Sequence, residues 1–260
     1  MRTTALVFAA ALALAGCGGG GGNPGTCHGS PPVCGGVDPS PDPGGGDDGP
    51  TGLFKGTTGT GRTAYTLVLE RGDFWILYGR PGNADRLGGF ERGTYSAADG
   101  EIAALDLVDF SAATGLVVNG SMTGSYISQT SIAGTVQFGP EVVSFAGAYD
   151  PRSTEDAELA DAAGTYAGTL SVTDGSDPAD VSVSATGTVI GTSASGCTIN
   201  GTLLPIADAH AFSLNVTVAG GVCGNEGTTL QGVAILQGTR IFSAALNGLR
   251  TEGLVFSGGR

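Results

Sequence analysis

From Thr51 onward the chain is cut every few residues by glycine, and the pieces between are short and rich in β-branched and aromatic residues. That punctuation constrains the fold more than any other feature. Glycine inside a regular element loses entropy and packs nothing, so a chain with 48 glycines builds long helices poorly. Short strands joined by turns remain. Ala211 to Gly220, AFSLNVTVAG, shows the strand period directly: Phe212, Leu214, Val216 and Val218 alternate with Ser213, Asn215 and Thr217, as in a half-buried strand. Ala64 to Glu70 (AYTLVLE), Asp73 to Gly79 (DFWILYG) and Thr239 to Gly248 (TRIFSAALNG) share the texture. Only Ser153 to Ala163, STEDAELADAA, reads as helical. There Ser153 or Thr154 would cap the helix, and acidic residues would fill the first turn, where the helix dipole favours them.

That acidic connector, residues 151–163, divides the β-rich region into 51–150 and 164–260. The two halves echo each other. Gly52 to Thr57 (GLFKGT) and Gly164 to Thr169 (GTYAGT) both read Gly, any, aromatic, any, Gly, Thr. Gly120, Gly124, Ile132, Gly134 and Thr135 match Gly187, Gly191, Ile199, Gly201 and Thr202 at a constant offset of 67, whereas the opening motifs lie 112 apart. The difference implies one or two extra hairpins at the front of the first half. The expected fold is all-β: two tandem antiparallel barrels or sandwiches of roughly eight and six to eight strands, whose closure removes exposed strand edges. One larger continuous barrel or sandwich is the alternative. A transmembrane barrel fits poorly, because its strands run to about 9–11 residues with aromatic girdles, and here aromatics are few and many strands shorter.

The N-terminal region points to export. Met1 and Arg2 give a positive start, Ala5 to Ala15 is almost wholly apolar, and small residues follow, which is the layout of a signal peptide over residues 1–16. Gly18 to Pro50 is Gly, Pro, Asp and Ser with almost nothing to bury, so residues 17–50 are expected to form a disordered, flexible tether. As a coil it would average roughly 30 Å end to end. Leu14-Ala15-Gly16-Cys17 resembles the bacterial lipobox. The resemblance implies cleavage before Cys17 and acylation of its thiol and new N-terminus, hence a lipid anchor in a membrane. Gly18 rather than Asp follows the cysteine, which by the same resemblance favours the bacterial outer membrane, with the periplasmic or surface face left open.

Cysteine usage agrees. With Cys17 assigned to lipid, Cys27, Cys34, Cys197 and Cys223 divide into a near pair and a far pair, and an oxidising compartment keeps such pairs closed. A metal reading of Cys27, His28 and Cys34 lacks a fourth ligand and normal zinc spacing, so no metal is expected.

Chemistry is hard to find elsewhere. Twenty-four acidic against 11 basic residues, a net charge of −13, exclude a nucleic-acid partner, which needs clustered Lys and Arg. Only His28 and His210 could serve as imidazole bases, and neither has a nucleophile arrangement around it. Gly191 to Gly196, GTSASG, departs from G-x-S-x-G and reads as a hairpin turn. Asp174, Asp177 and Asp180 lack EF-hand spacing, and Gly59 to Arg62, GTGR, lacks the lysine and helix of a phosphate loop. No cofactor and no enzymatic activity are expected.

DFWILYG is apolar on both faces. Packing of one face in the core and the other against the second domain explains it, and the functional alternative is an exposed partner or ligand surface at Phe74, Trp75 and Tyr78. Gly164 to Thr169 and Ser195 to Thr202, with Cys223, resemble the GTYxGT and SGCTxxGT repeats of uncharacterised bacterial tandem β-barrel lipoproteins. The layout of anchor, tether and β-lobes is loosely similar to host-protein-binding surface lipoproteins. The function expected from this is a membrane-anchored, non-enzymatic binding or adhesion module of the bacterial envelope, with a protein or a small apolar ligand as partner. The rivals are a lipocalin-like carrier of a small apolar ligand and a structural envelope protein.

Overall fold

A computed structural model of the chain describes residues 49–260 except 208, 221, 222 and 225. The signal segment, Cys17, Cys27, His28, Cys34 and nearly all of the expected tether lie outside the described residues. The rest is all-β, in two closed antiparallel barrels.

The first barrel is built from β1 (Gly52–Thr58), β2 (Thr63–Val68), β3 (Asp73–Arg80), β4 (Asn83–Thr94), β6 (Glu101–Ser111), β7 (Val117–Ile127), β8 (Ser131–Phe138) and β9 (Glu141–Tyr149), with the three-residue β5 (Ser96–Ala98) attached to β6. Sequential hairpins form its wall, and two pairings complete the circle, β1 with β9 and β4 with β6. The second barrel comprises β10 (Gly164–Val172), β11 (Gly175–Val183), β12 (Thr188–Ser193), β13 (Thr198–Ile206), β14 (Ala211–Ala219), β15 (Thr229–Gln237), β16 (Arg240–Asn247) and β17 (Gly253–Gly259), closed by β10 with β17.

Both barrels therefore have eight wall strands, and the extra hairpins expected at the front of the first half do not exist. The residues at offset 67 lie on β7 and β8, the sixth and seventh strands of their wall, and on β12 and β13, the third and fourth of theirs, except Gly187, which lies in the turn before β12. They resemble each other because glycine recurs in tightly paired strands, not because they are equivalent hairpins. The opening motifs are equivalent. Gly56 of β1 faces Gly147 of β9, and Gly168 of β10 faces Gly258 of β17, at the first-to-last seam of each barrel. A Cβ at Gly56 or Gly168 would overlap the carbonyl oxygen of Ala146 or Ser257, so the close approach of strands at each seam demands glycine.

Three apolar clusters organise the molecule. Phe54, Phe74, Ile76, Met122, Val136 and Phe145 fill the interior of the first barrel. Tyr166, Val181, Ile199, Leu214, Leu230 and Phe256 belong to the cluster filling the second, which leaves a void of only ≈ 30 Å³. The third lies between the barrels: Leu67, Trp75, Leu77 and Phe90 from the first pack with Val233, Ile235, Phe242 and Val255 from the second. Strands buried on both faces lose the period-two pattern and read as continuous apolar runs, which is why DFWILYG looked unusual. Polar contacts add direction: the Leu87 N–H donates to Ser257 Oγ (2.8 Å), and Arg240 pairs with Asp85 (3.0 Å) and Arg250 with Asp106 (3.2 Å) across the interface.

The connector departs from the single capped helix expected for it. It forms a 3₁₀ turn over Pro151–Thr154 and one α-helical turn over Leu159–Ala162, whose N-cap position, Glu158, makes no side-chain cap bond. Ser153 is buried instead, its Oγ accepting from the Leu53 N–H of β1 (2.8 Å). The helical turn packs on the second barrel's interior: Ala162 is fully buried, and its carbonyl accepts from the Tyr166 hydroxyl (2.9 Å).

Candidate functional site

Inward-facing side chains in the first barrel are apolar for most of its length and become polar at one end. On β3 the inward positions run Phe74, Ile76, Tyr78. On β6 Leu107 gives way to Asp109 and Ser111, and on β4 the inward residue at that level is Glu91. The change of character opens the barrel into a cup of ≈ 390 Å³, walled also by Thr58, Arg62, Val118, Phe138, Glu141 and Val143. Its rim consists of the β1–β2, β6–β7 and β8–β9 turns, and Leu116 and Val118 stand exposed there.

Strand register sets the charges at the floor. Glu91 and Asp109 are direct partners across the β4–β6 pairing that closes the barrel, and like charges placed directly opposite repel. Tyr78 reaches the same point because the regular β3–β4 pairing sets it opposite Gly89, two positions from Glu91, and the register shifts only beyond it, at Gly79. A Cβ at Gly89 would collide with the Tyr78 hydroxyl. The Tyr78 hydroxyl donates to Asp109 Oδ1 (2.7 Å).

Burial then dominates the electrostatics. Glu91 is 6% exposed, and burial, with Asp109 as a second cause, holds its carboxyl well above the ordinary glutamate range. Burial also lifts Asp109 to about 6, against the downward pull of the Tyr78 hydrogen bond and the Arg62 guanidinium, while Glu141 adds to the rise. Tyr78 is pushed up by burial and then by Asp109. Arg62 lies over the Tyr78 ring, 5.5 Å from its centroid. Glu91 Oε2 has no hydrogen-bond partner among the described residues, an arrangement that costs about 1–3 kcal/mol, more for a charged group.

The residues singled out from sequence have other fates. Phe74, Trp75 and Tyr78 form no exposed aromatic surface. Phe74 packs inside the first barrel, Trp75 is turned into the layer between the barrels at 2% exposed, against Phe90 (5.3 Å) and under the Arg92 guanidinium (5.2 Å), and Tyr78 is in the cup floor. The double burial of β3 is the physical reason. Cys197 and Cys223 form a disulfide, tying the β14–β15 loop to the turn before β13. Asp177 and Asp180 lie in β11 at positions of opposite parity, and Asp177 accepts from the Ser195 N–H (2.6 Å). No His, Cys, Asp and Glu grouping suited to a metal ion occurs among the described residues. His210 sits in the β13–β14 turn, and its buried Nδ1 has no hydrogen-bond partner among the described residues that would orient it as a base.

Sequence reasoning missed Glu91 and Asp109. The available signal was an acidic residue at an inward position of a strand, and locating it required knowing which face of each strand was inward.

Together these features define an all-β protein of two docked antiparallel barrels, one filled and one open-mouthed. No protein-family profile and no curated protein sequence matches the chain. Among solved structures it is similar to isotype 1 transferrin binding protein B from serogroup B Neisseria meningitidis, at 11% identity over 76% of this chain and 58% of that one, with a TM-score of 0.31. A mutant transferrin binding protein B from Haemophilus parasuis Hp5 matches at 7% identity over 76% and 66% of the two chains, with a TM-score of 0.26. The chain spans less than two thirds of the length of either.

Proposed function

We propose that this chain is a membrane-anchored, non-enzymatic binding module of the bacterial envelope, and that it binds through the mouth of its first barrel. The observation that carries the reading is the contrast between the barrels. One is filled by its own side chains, while the other widens into a cup whose polar floor holds a buried, unpartnered carboxylate. A binding site is concave, mostly apolar and furnished with a few placed polar groups, and the cup has that composition. The lipobox-like LAGC segment ending at Cys17 supports the anchor, and the tether would hold the barrels clear of the lipid headgroups. A lipocalin-like carrier has less support, because its ligand would occupy space that the apolar side chains fill in both barrels.

Two measurements test the proposal. Ligand-observed NMR with a mixed library of cationic, anionic and neutral fragments should give hits that a mouth-plugging Val143→Trp substitution removes. Hits indifferent to the plug, or none at all, would sink the mouth as the site. Fractionation and protease shaving of intact cells should find the protein in the outer membrane and its Cys17→Ala variant released from it. Equal membrane association of the two would remove the anchor.

A further inference from the structure

The cup's chemistry narrows what it takes. We propose that the floor of the first barrel's mouth binds a primary alkylammonium group, with Glu91 and Asp109 as acceptors and the apolar rim taking the aliphatic stem. This deepens the mouth-binding reading and rests on it.

The placement of charge comes first. The groups facing the floor are Glu91 from β4, Asp109 from β6, Tyr78 from β3, Arg62 from the β1–β2 turn and Glu141 from β9. Three carboxyl groups therefore face one guanidinium. That guanidinium lies over the Tyr78 ring and acts on Asp109 and Tyr78, and it is not among the influences on Glu91. Glu91, the most deeply buried of the three, thus has no cation against it and no donor to Oε2 among the described residues. A carboxylate in that position is destabilised unless a cation or a proton arrives.

Acceptor geometry then selects among cations. A divalent metal wants six or more oxygen ligands or a compact set of carboxylate and imidazole groups, and the described residues provide no such set. A guanidinium prefers both oxygens of one carboxylate in a plane, but Asp109 already accepts from Tyr78 through Oδ1. What remains is acceptor capacity on two separate carboxylates, with the Ser111 hydroxyl beside Asp109 on β6. Three donors splayed from one ammonium nitrogen suit that spread. Above the floor the walls turn apolar at Val118, Phe138 and Val143, and Leu116 is 60% exposed at the rim. A charged head below and an aliphatic stem above is the shape of an alkylamine and equally of a lysine side chain.

The test is calorimetric titration of the full chain at about pH 7.5 with n-hexylamine and with Nα-acetyllysine N-methylamide, using hexanol and hexanoate as controls. Both ammonium probes should bind, the controls at least about tenfold more weakly, and Glu91→Gln should weaken ammonium binding by about tenfold or more. Because Glu91 and Asp109 hold protons that a bound cation displaces, wild-type affinity should fall between pH 7.5 and about 5, and the heat should change with the buffer's ionisation enthalpy. The wild-type pH profile and Asp109→Asn carry the test if Glu91→Gln fails to fold. Tighter binding of hexylamine identifies a free amine, and tighter binding of the lysine amide identifies a lysine of a partner protein. Equal binding of hexanol, or ammonium binding unchanged in Glu91→Gln, overturns the proposal. Hexanol or hexanoate bound in preference at a plug-sensitive site would overturn it while leaving the mouth-binding reading in place, whereas silence from every probe class and every fragment would remove both.

Discussion

Glu91 is the residue at which this chain departs most from a conventional barrel interior. Its folded form keeps a proton at pH values where an unfolded glutamate, with its ordinary value near 4.3, has lost it. The folded barrel then binds more protons than the unfolded chain, so stability falls as pH rises from about 4 toward the raised folded value of Glu91. Asp109 adds the same sense between about 3.9 and the value of about 6 it has in the folded state. Glu91→Gln should flatten that decline and gain about 1–2 kcal/mol at pH 8, read by urea unfolding across pH 4–8. A variant that loses stability most at high pH would mean that the carboxylate is satisfied in the folded protein. The identity of Glu91 was visible in sequence. Its burial was not, because β4 is buried on both faces from Leu87 to Glu91, so alternation along the strand does not show which face turns into the barrel.

At the scale of elements, glycine and the disulfide set the limits. The seam glycines were legible as a repeated motif, and their role follows from the pairing: Gly168 faces Gly258 with the Ser257 carbonyl at the place a Cβ would occupy. Gly168→Val should force β10 from β17 and destabilise by roughly 2–4 kcal/mol, whereas Gly238→Ala, in a turn at φ 62° with nothing near a Cβ, should cost only about 1 kcal/mol. Similar losses at both sites by thermal melting would show that the seam is not tight. The Cys197–Cys223 bridge encloses a sequence separation of 26, for which chain entropy gives about 3.5 kcal/mol. The Cys197→Ala, Cys223→Ala double variant should lose roughly that much, and reductant should leave it unaffected. The pair was legible from cysteine arithmetic. The connector's broken helix was not: Ser153, a plausible cap by sequence, is drawn off by the Leu53 N–H, a tertiary partner that local propensity ignores.

The whole molecule depends on the apolar layer between the barrels, where Trp75, Phe90 and Phe110 meet Val233, Phe242 and Val255. Glycine again permits the fit, since a Cβ at Gly253 would strike the Phe110 ring. Arg250, at φ 58°, reaches from the second barrel to the Asp106 carboxylate and to the backbone carbonyls of Asp106 and Arg92. Barrels sharing a core should unfold together. Chemical denaturation of the wild type should give one transition by tryptophan fluorescence and by far-ultraviolet circular dichroism, and Trp75→Ala should cost about 3–5 kcal/mol. Two separated wild-type transitions would show that the layer is only a surface contact.

By itself the sequence determined an all-β protein in two similar halves, because glycine spacing and period-two alternation are local properties of the backbone. It determined the doubly apolar character of Asp73 to Gly79 as well. Only the tertiary structure decided which strand meets which, and that choice depends on non-local pairing. β4 pairing with β6 rather than β5 closes the first barrel and sets Glu91 against Asp109. Two carboxylates 18 positions apart in sequence become cross-strand neighbours in a desolvated floor, and burial there, rather than any motif, gives the site its chemistry.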